Sequence, residues 1–277
     1  MGKSEKLGEI AARLRAHYGP IRRRPGGDLL DILIGTILSQ NTSDLNRDRA
    51  YAELRRRFPR WEDVLSAPVE EVERAIRGAG LYRQRARRIK QVLARLAEER
   101  GELSLEFLRK LPDEEAERWL LSLPGVGKKT AYIVMLFGLG RPFFPVDTHI
   151  ARVTKRLGLV GEKEEPHAAL APIVPEGMEL ELHLNLIRLG REVCRPRRPR
   201  CQVCPLADLC HHVLSKLDPA LRPLLREGIP PPLLVSYGDG RVESARVDRE
   251  GLLALAADPE MRYLAPSRKL SPKEGSG

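Results

Sequence analysis

Two short stretches carry residue types suited to chemistry on an anionic substrate. The first is Leu123-Pro124-Gly125-Val126-Gly127-Lys128-Lys129-Thr130. Pro124 presets a turn, and Gly125 and Gly127 can take positive φ without a Cβ clash, so the run reads as a tight hairpin opening a helix. Backbone N–H groups at such a turn lack intrahelical partners and suit a phosphate. Lys129 falls in the first helical turn beside Lys128. The positive end of the helix dipole and the neighbouring ammonium both favour a neutral amine, the form a nucleophile needs. The second stretch is Val146-Asp147-Thr148-His149, where Asp147 can supply the complementary carboxylate. Each piece also has a plain structural reading. A Gly-x-Gly turn commonly just opens a helix, a first-turn lysine is ordinarily solvated, and Asp147 has the position of an N-cap.

A third cluster stands further on. All four cysteines, Cys194, Cys201, Cys204 and Cys210, lie within 17 residues in the pattern C-x6-C-x2-C-x5-C. In a reducing compartment such a group reads as a metal or iron–sulfur site rather than a disulfide framework. One close pair with two outlying cysteines fits a cubane cluster better than zinc, although spacing leaves both open. Between the first two cysteines, Arg195, Arg197, Arg198 and Arg200 fill a short loop. They suit a nucleic-acid backbone, or they balance an anionic cluster.

The elements that must position these groups are helical. The chain is 42% hydrophobic but only 5% aromatic, so its core must be built from Leu, Val, Ile and Ala. A net charge of +10 favours a polyanionic partner, nucleic acid first. The N-terminal stretch is charged and lacks the apolar centre of a signal peptide, and no run is long and apolar enough to cross a membrane. A soluble, cytoplasmic protein with no membrane partner is therefore expected.

The spacing predicts a helix over 7–18, then one over 29–38 that is apolar almost all round and therefore central. The polar run Ser39-Gln40-Asn41-Thr42-Ser43-Asp44 follows it directly. It either caps the helix or presents amide side chains to a substrate. Further helices are predicted over 46–58, 61–66, 68–78, 83–100 and 128–139, with the segments 105–110 and 113–121 leading back to the hairpin. Arg85, Arg87, Arg88 and Lys90, on the basic helix, can face phosphate or simply be solvated. Helices over 150–157, 165–173 and 179–190 complete an all-α block of about the first 215 residues. Beyond it lie a proline-rich stretch, a β-hairpin of 233–237 with 241–247 around Gly238-Asp239-Gly240, a short helix over 248–258 and a disordered 271–277.

With these motifs in order, the chain resembles the endonuclease III family of helix–hairpin–helix DNA glycosylases. The resemblance runs from about Leu7 to Leu214 and rests on the hairpin run to Ala131, on Val146 to His149, and on the cysteine signature. It implies a two-lobed all-α fold with a cleft between the lobes. One is a six-helix lobe, here 28–140; the other joins 1–27 to 141–214 and carries a structural [4Fe-4S] cluster. The extension 215–277 is not covered by the resemblance. It further implies a monomer acting on double-stranded DNA with damaged bases or abasic sites. The hairpin, at Leu123, Gly125, Gly127 and Lys128, would grip a phosphate, and Gln40, Asn41, Leu81 and His149 would contact DNA together with the loop arginines. Asn41 and Leu81 match the family's wedge positions, but the usual glutamine at the first is here Asn41, preceded by Gln40. Lys129 matches the nucleophile that forms a Schiff base, and Asp147 its assisting aspartate. The implied activity is removal of oxidised pyrimidines with strand cleavage by β-elimination. The alternatives are a monofunctional or mismatch-specific glycosylase and a non-catalytic DNA-structure-binding protein. Adenine-mismatch members of the superfamily lack a lysine at the position of Lys129.

Overall fold

The most apolar helix is the one around which its neighbours pack. In this computed structural model the described residues are 2–21, 24–40 and 42–217, with 222, 251, 253 and the strands noted below. Helix α2 (Leu29–Ser39) starts where the Asp28 carboxylate accepts from the Asp31 N–H at 2.9 Å. It buries Leu29, Leu30, Leu33, Ile34, Ile37 and Leu38 completely. Such a helix cannot sit at a surface.

The chain divides into two compact units, Arg22–Pro145 and Met1–Ile21 with Val146–Gly277. In the first, α2 is surrounded by α3 (Asp44–Arg57), α6 (Tyr82–Arg100) and α8 (Lys128–Ile133). The short helices α4 (Trp61–Ser66) and α5 (Val69–Ala75) pack on α6, and α7 (Asp113–Ser122) packs on α8. In the second unit, α11 (Glu179–Glu192) packs on α1 (Lys3–Tyr18) and α9 (Thr148–Leu157). Helix α10 (Pro166–Leu170) lies between α9 and α11 in sequence, and α12 (His211–Leu214) packs on α9. Among the described residues no helix is long and apolar enough to cross a membrane.

Several expected helices differ. The helix expected over 128–139 is α only as far as Ile133 and continues as a π turn over Val134–Gly138. Close packing gives the reason: a Cβ on Gly138 would lie 2.4 Å from Leu29 Cδ2, so this end is pressed onto α2. The Phe137 carbonyl accepts from Gly26 N–H at 2.7 Å, satisfying an acceptor the widened turn releases. The segment over 68–78 is α5 followed by a 3₁₀ turn Arg77–Ala79, with Pro68 as N-cap rather than inside the first turn. Residues Glu106–Lys110 are also 3₁₀.

In the C-terminal extension, strand β1 (Leu233–Ser236) pairs antiparallel with β2 (Val242–Ala245) on one side and β3 (Tyr263–Pro266) on the other. Leu233 faces Ala245 and Pro266 across the two ladders. The turn expected at 238–240 and the tail 271–277 lie outside the described residues, as does the helix expected over 248–258 apart from Gly251 and Leu253.

Candidate active site

The hairpin is a type II turn. Val126 N–H donates to Leu123 C=O at 3.1 Å, Pro124 occupies the second position, and Gly125 takes φ 73° at the third, where only a residue without Cβ is comfortable. Gly127 then serves as N-cap of α8, which places Lys128 and Lys129 in its first turn. Lys128 is exposed and Lys129 half-buried, while Gly125 and Gly127 are open to solvent. The Leu123 side chain is buried in the core, so its part in any phosphate contact is confined to its backbone.

The polar run after α2 meets the hairpin through Gln40. Its Nε2 lies 3.5 Å from the hydroxyl of Thr130, the neighbour of Lys129, and its Oε1 accepts from Arg88 Nη1 at 3.0 Å. A guanidinium only donates, so Arg88 fixes which end of the amide faces Thr130. Arg88 also lies against the turn: a Cβ on Gly125 would come within 2.6 Å of its Cδ and Nε. The structure thus joins Gln40, Arg88, Gly125 and Thr130 in one constellation beside Lys129. Asn41 lies outside the described residues. Gly125→Ala should lose stability by ~1–2 kcal/mol through the left-handed backbone alone. It should also displace Arg88 from Gln40, so lesion turnover should fall further than thermal melting explains; equal losses would contradict the coupling.

Two of the basic residues expected to face phosphate do not. Arg85 is 1% exposed. Lys90 donates to the carbonyls of Val64 at 3.2 Å, Leu65 at 2.6 Å and Ala67, closing the C-terminus of α4. Both residues fall on the apolar side of α6, where burial outweighs a preference for solvent; Arg85 is in phase with Ile89, Val92 and Leu96. Leu81, by contrast, is 57% exposed and left-handed at φ 44°, a costly combination for a leucine.

In the second unit, Asp147 caps α9, its Oδ1 accepting from Ile150 N–H at 2.8 Å. The plain reading of Asp147 is therefore realised, and it occupies one carboxylate oxygen. His149 is half-buried, with Nδ1 3.2 Å from Arg152 Nη2. Arg152 donates to Gly190 C=O at 2.8 Å and to Cys194 C=O at 3.0 Å, tying α9 to the end of α11 and the cysteine loop. Sequence spacing did not reveal the contacts of Gln40 with Arg88 and Thr130 in the first unit, nor those of Arg152 and Arg156 in the second, because each except that between His149 and Arg152 is long-range.

All four cysteines are free of disulfides. Burial pushes the Cys204 thiol up to about 12 and Cys210 up to about 11; Cys201 is raised for the same reason. The other three sulfurs lie near enough to Cys204 to raise it further. A polyvalent metal centre would stabilise Cys201, Cys204 and Cys210 as thiolates against this burial, so the donor chemistry fits an iron–sulfur cluster. Arg156 donates to Cys194 Sγ at 3.3 Å and to the carbonyls of Arg195 at 2.7 Å and Pro196 at 2.9 Å. That clamp fixes the start of the basic loop, whose Arg195, Arg197, Arg198 and Arg200 are all exposed. Arg198 holds φ 50°.

A hairpin that opens a helix at a half-buried lysine, an aspartate that caps another helix and a loop of four cysteines are the parts of a helix–hairpin–helix repair protein. Residues 34–173 match the family of HhH-GPD superfamily base excision DNA repair proteins, and the chain belongs to that family. Residues 194–210 match the iron–sulfur binding domain of endonuclease III, so the chain has the ligand set of a [4Fe-4S] cluster. The chain is 36% identical over 185 residues to endonuclease III of Thermotoga maritima, covering 66% of this chain and 83% of the relative. An Arabidopsis thaliana relative named as a DNA glycosylase is 38% identical over 190 residues, which cover 64% of this chain and 65% of that one. Solved complexes of endonuclease III with DNA, one non-covalent and one a trapped covalent intermediate, superpose with TM-score 0.65 at 29% identity, covering 76% of this chain and 96% of theirs.

Proposed function

We propose that the chain is a DNA glycosylase with abasic-site lyase activity, acting on oxidised pyrimidines in double-stranded DNA. The observation that carries this reading is Lys129, set half-buried in the first turn of α8 directly behind the type II hairpin. Asn41, or Gln40 before it, and Leu81 enter the duplex where the damaged nucleotide is extruded, and the hairpin N–H groups at Gly125 to Lys128 hold a phosphate. The Lys129 amine attacks C1′, and the base leaves with the electrons of the glycosidic bond and takes up a proton. Opening of the sugar ring gives a Schiff base between Lys129 and C1′. Loss of a C2′ proton then expels the 3′ phosphate and cuts the strand. Asp147 accepts the proton that Lys129 must shed, or stabilises positive charge on the sugar. The four cysteines hold the cluster, which contributes folding of the loop rather than reaction chemistry, and the loop arginines bind backbone phosphates. We further place the protein with the nucleoid, as a monomer.

The test is a duplex with a single thymine glycol. Base release coupled to a nick on the 3′ side is expected. Base release without a nick would make the protein monofunctional, and tight binding with neither would make it a DNA-structure-binding protein. Asp147→Asn separates the two roles of that residue. Asparagine caps as well as aspartate, so thermal stability should change by less than ~1 kcal/mol. Turnover should nevertheless fall by roughly 10²-fold or more. A parallel loss of melting temperature and turnover would reduce Asp147 to a cap.

A further inference from the structure

Arg85 is among the largest fully buried side chains of the molecule, at 1% exposure, and among the described residues no carboxylate pairs with it. Nη1 donates to Ala79 C=O, and Nη2 is buried with no partner. Burial and the nearby charge of Arg88 both disfavour its ionised form. A desolvated, unpaired cation is among the costlier things a core can contain, and an apolar side chain of similar volume would be cheaper. The position is in phase with the apolar residues of α6, so nothing in the helix itself calls for a charge.

What Arg85 does hold is a short, strained turn. After the 3₁₀ turn ending at Ala79, Gly80 at φ 69° and Leu81 at φ 44° are left-handed in succession. Arg85 holds this turn through its guanidinium, which takes the Ala79 carbonyl, beside the ordinary helical bond from its backbone N–H to the Leu81 carbonyl at 3.1 Å. The residue so held, Leu81, stands 57% exposed just outside the N-terminus of α6. A leucine would relax from this conformation, at a gain of ~1–2 kcal/mol, unless its neighbours forbade it.

We propose that Arg85 is a positioning residue that braces the Ala79–Leu81 turn so that Leu81 stays projected as a rigid wedge for nucleotide extrusion. The inference rests on the reading of Leu81 as a wedge given above. The buried charge is a stability cost retained for the geometry of one exposed side chain.

The test compares wild type, Arg85→Met and Arg85→Lys as full chains. Substrates are an abasic site in a duplex, the same site in single-stranded DNA, and a duplex with 2-aminopurine beside the site. Arg85→Met should melt at the wild-type temperature or above. A misplaced wedge should lower duplex cleavage by roughly 10- to 100-fold and blunt the 2-aminopurine signal. Single-stranded cleavage, which needs no extrusion, should stay within roughly twofold of wild type. Arg85→Lys, which can still reach the carbonyl, should recover much of the duplex activity. Equal losses on duplex and single strand, or a lowered melting temperature with unchanged ratio, would overturn the proposal. Absence of cleavage by wild type on every substrate would refute the lyase reading instead, and the 2-aminopurine response of the bound duplex would still decide the brace.

Discussion

Lys129→Ala should abolish strand cleavage at abasic sites and at oxidised pyrimidines, by on the order of 10³-fold or more, while leaving the protein folded and bound to DNA. Alanine is the best helix former, and Lys129 sits in the first turn of α8, half-buried and not among the buried residues of that helix. The stability change should therefore be small, and the loss is specific to the covalent step. The constellation beside it, Gln40 with Thr130 and Arg88 with Gly125, does not include the lysine and should persist. Affinity for a duplex with an uncleavable abasic analogue should fall only modestly, as expected from removing a single charge. If strand cleavage survived at wild-type rate, another amine would be the nucleophile.

The second large effect is expected from the cysteine loop. Cys204→Ala removes one of four thiolates from a site in which burial already holds the thiol at about 12. A three-cysteine set should fail to retain iron, with loss of the visible absorption and brown colour of the thiolate-bound cluster. Arg152 and Arg156 fasten the start of the 194–210 loop, and the pair of Arg13 with buried Asp208 fastens its end, so the loss should be felt chiefly in the arginine-bearing stretch between Cys194 and Cys201. Its arginines should then cease to present a fixed face to DNA. Affinity should drop, and the dependence of log affinity on log salt should become shallower by about 0.9 for each phosphate the loop no longer neutralises. Helical content should fall only slightly, because the α2-centred unit does not include the loop. Unchanged affinity and salt slope in a cluster-free variant would show that the loop does not touch DNA.

How much of this was readable in the chain depended on whether local rules decided the outcome. The all-round apolar run 29–38 could only be a central helix, and it is. Pro124 and Gly125 specify a tight turn by themselves, whereas the cysteine spacing announced a metal site but left zinc and an iron–sulfur cluster both open. The π turn was hidden because it arises where Gly138 meets Leu29, two residues from distant parts of the chain. The basic face of α6 was misleading for a different reason. Charge suggested solvent, but the helical phase of Arg85 with Ile89 and Val92 placed it inside; period outweighed residue type. Lys90 behaves similarly, spending its donors on the carbonyls that α4 leaves open. The role of Arg88 depended on a hairpin far along the sequence and had no local signature.

The measurement that tests the central claim most directly is borohydride trapping on duplex DNA bearing one abasic site, followed by mapping of the adduct. The account predicts a covalent protein–DNA species whose modified peptide contains Lys129, and no such species with Lys129→Ala. An adduct on a different residue, or efficient cleavage with none trapped, would contradict it.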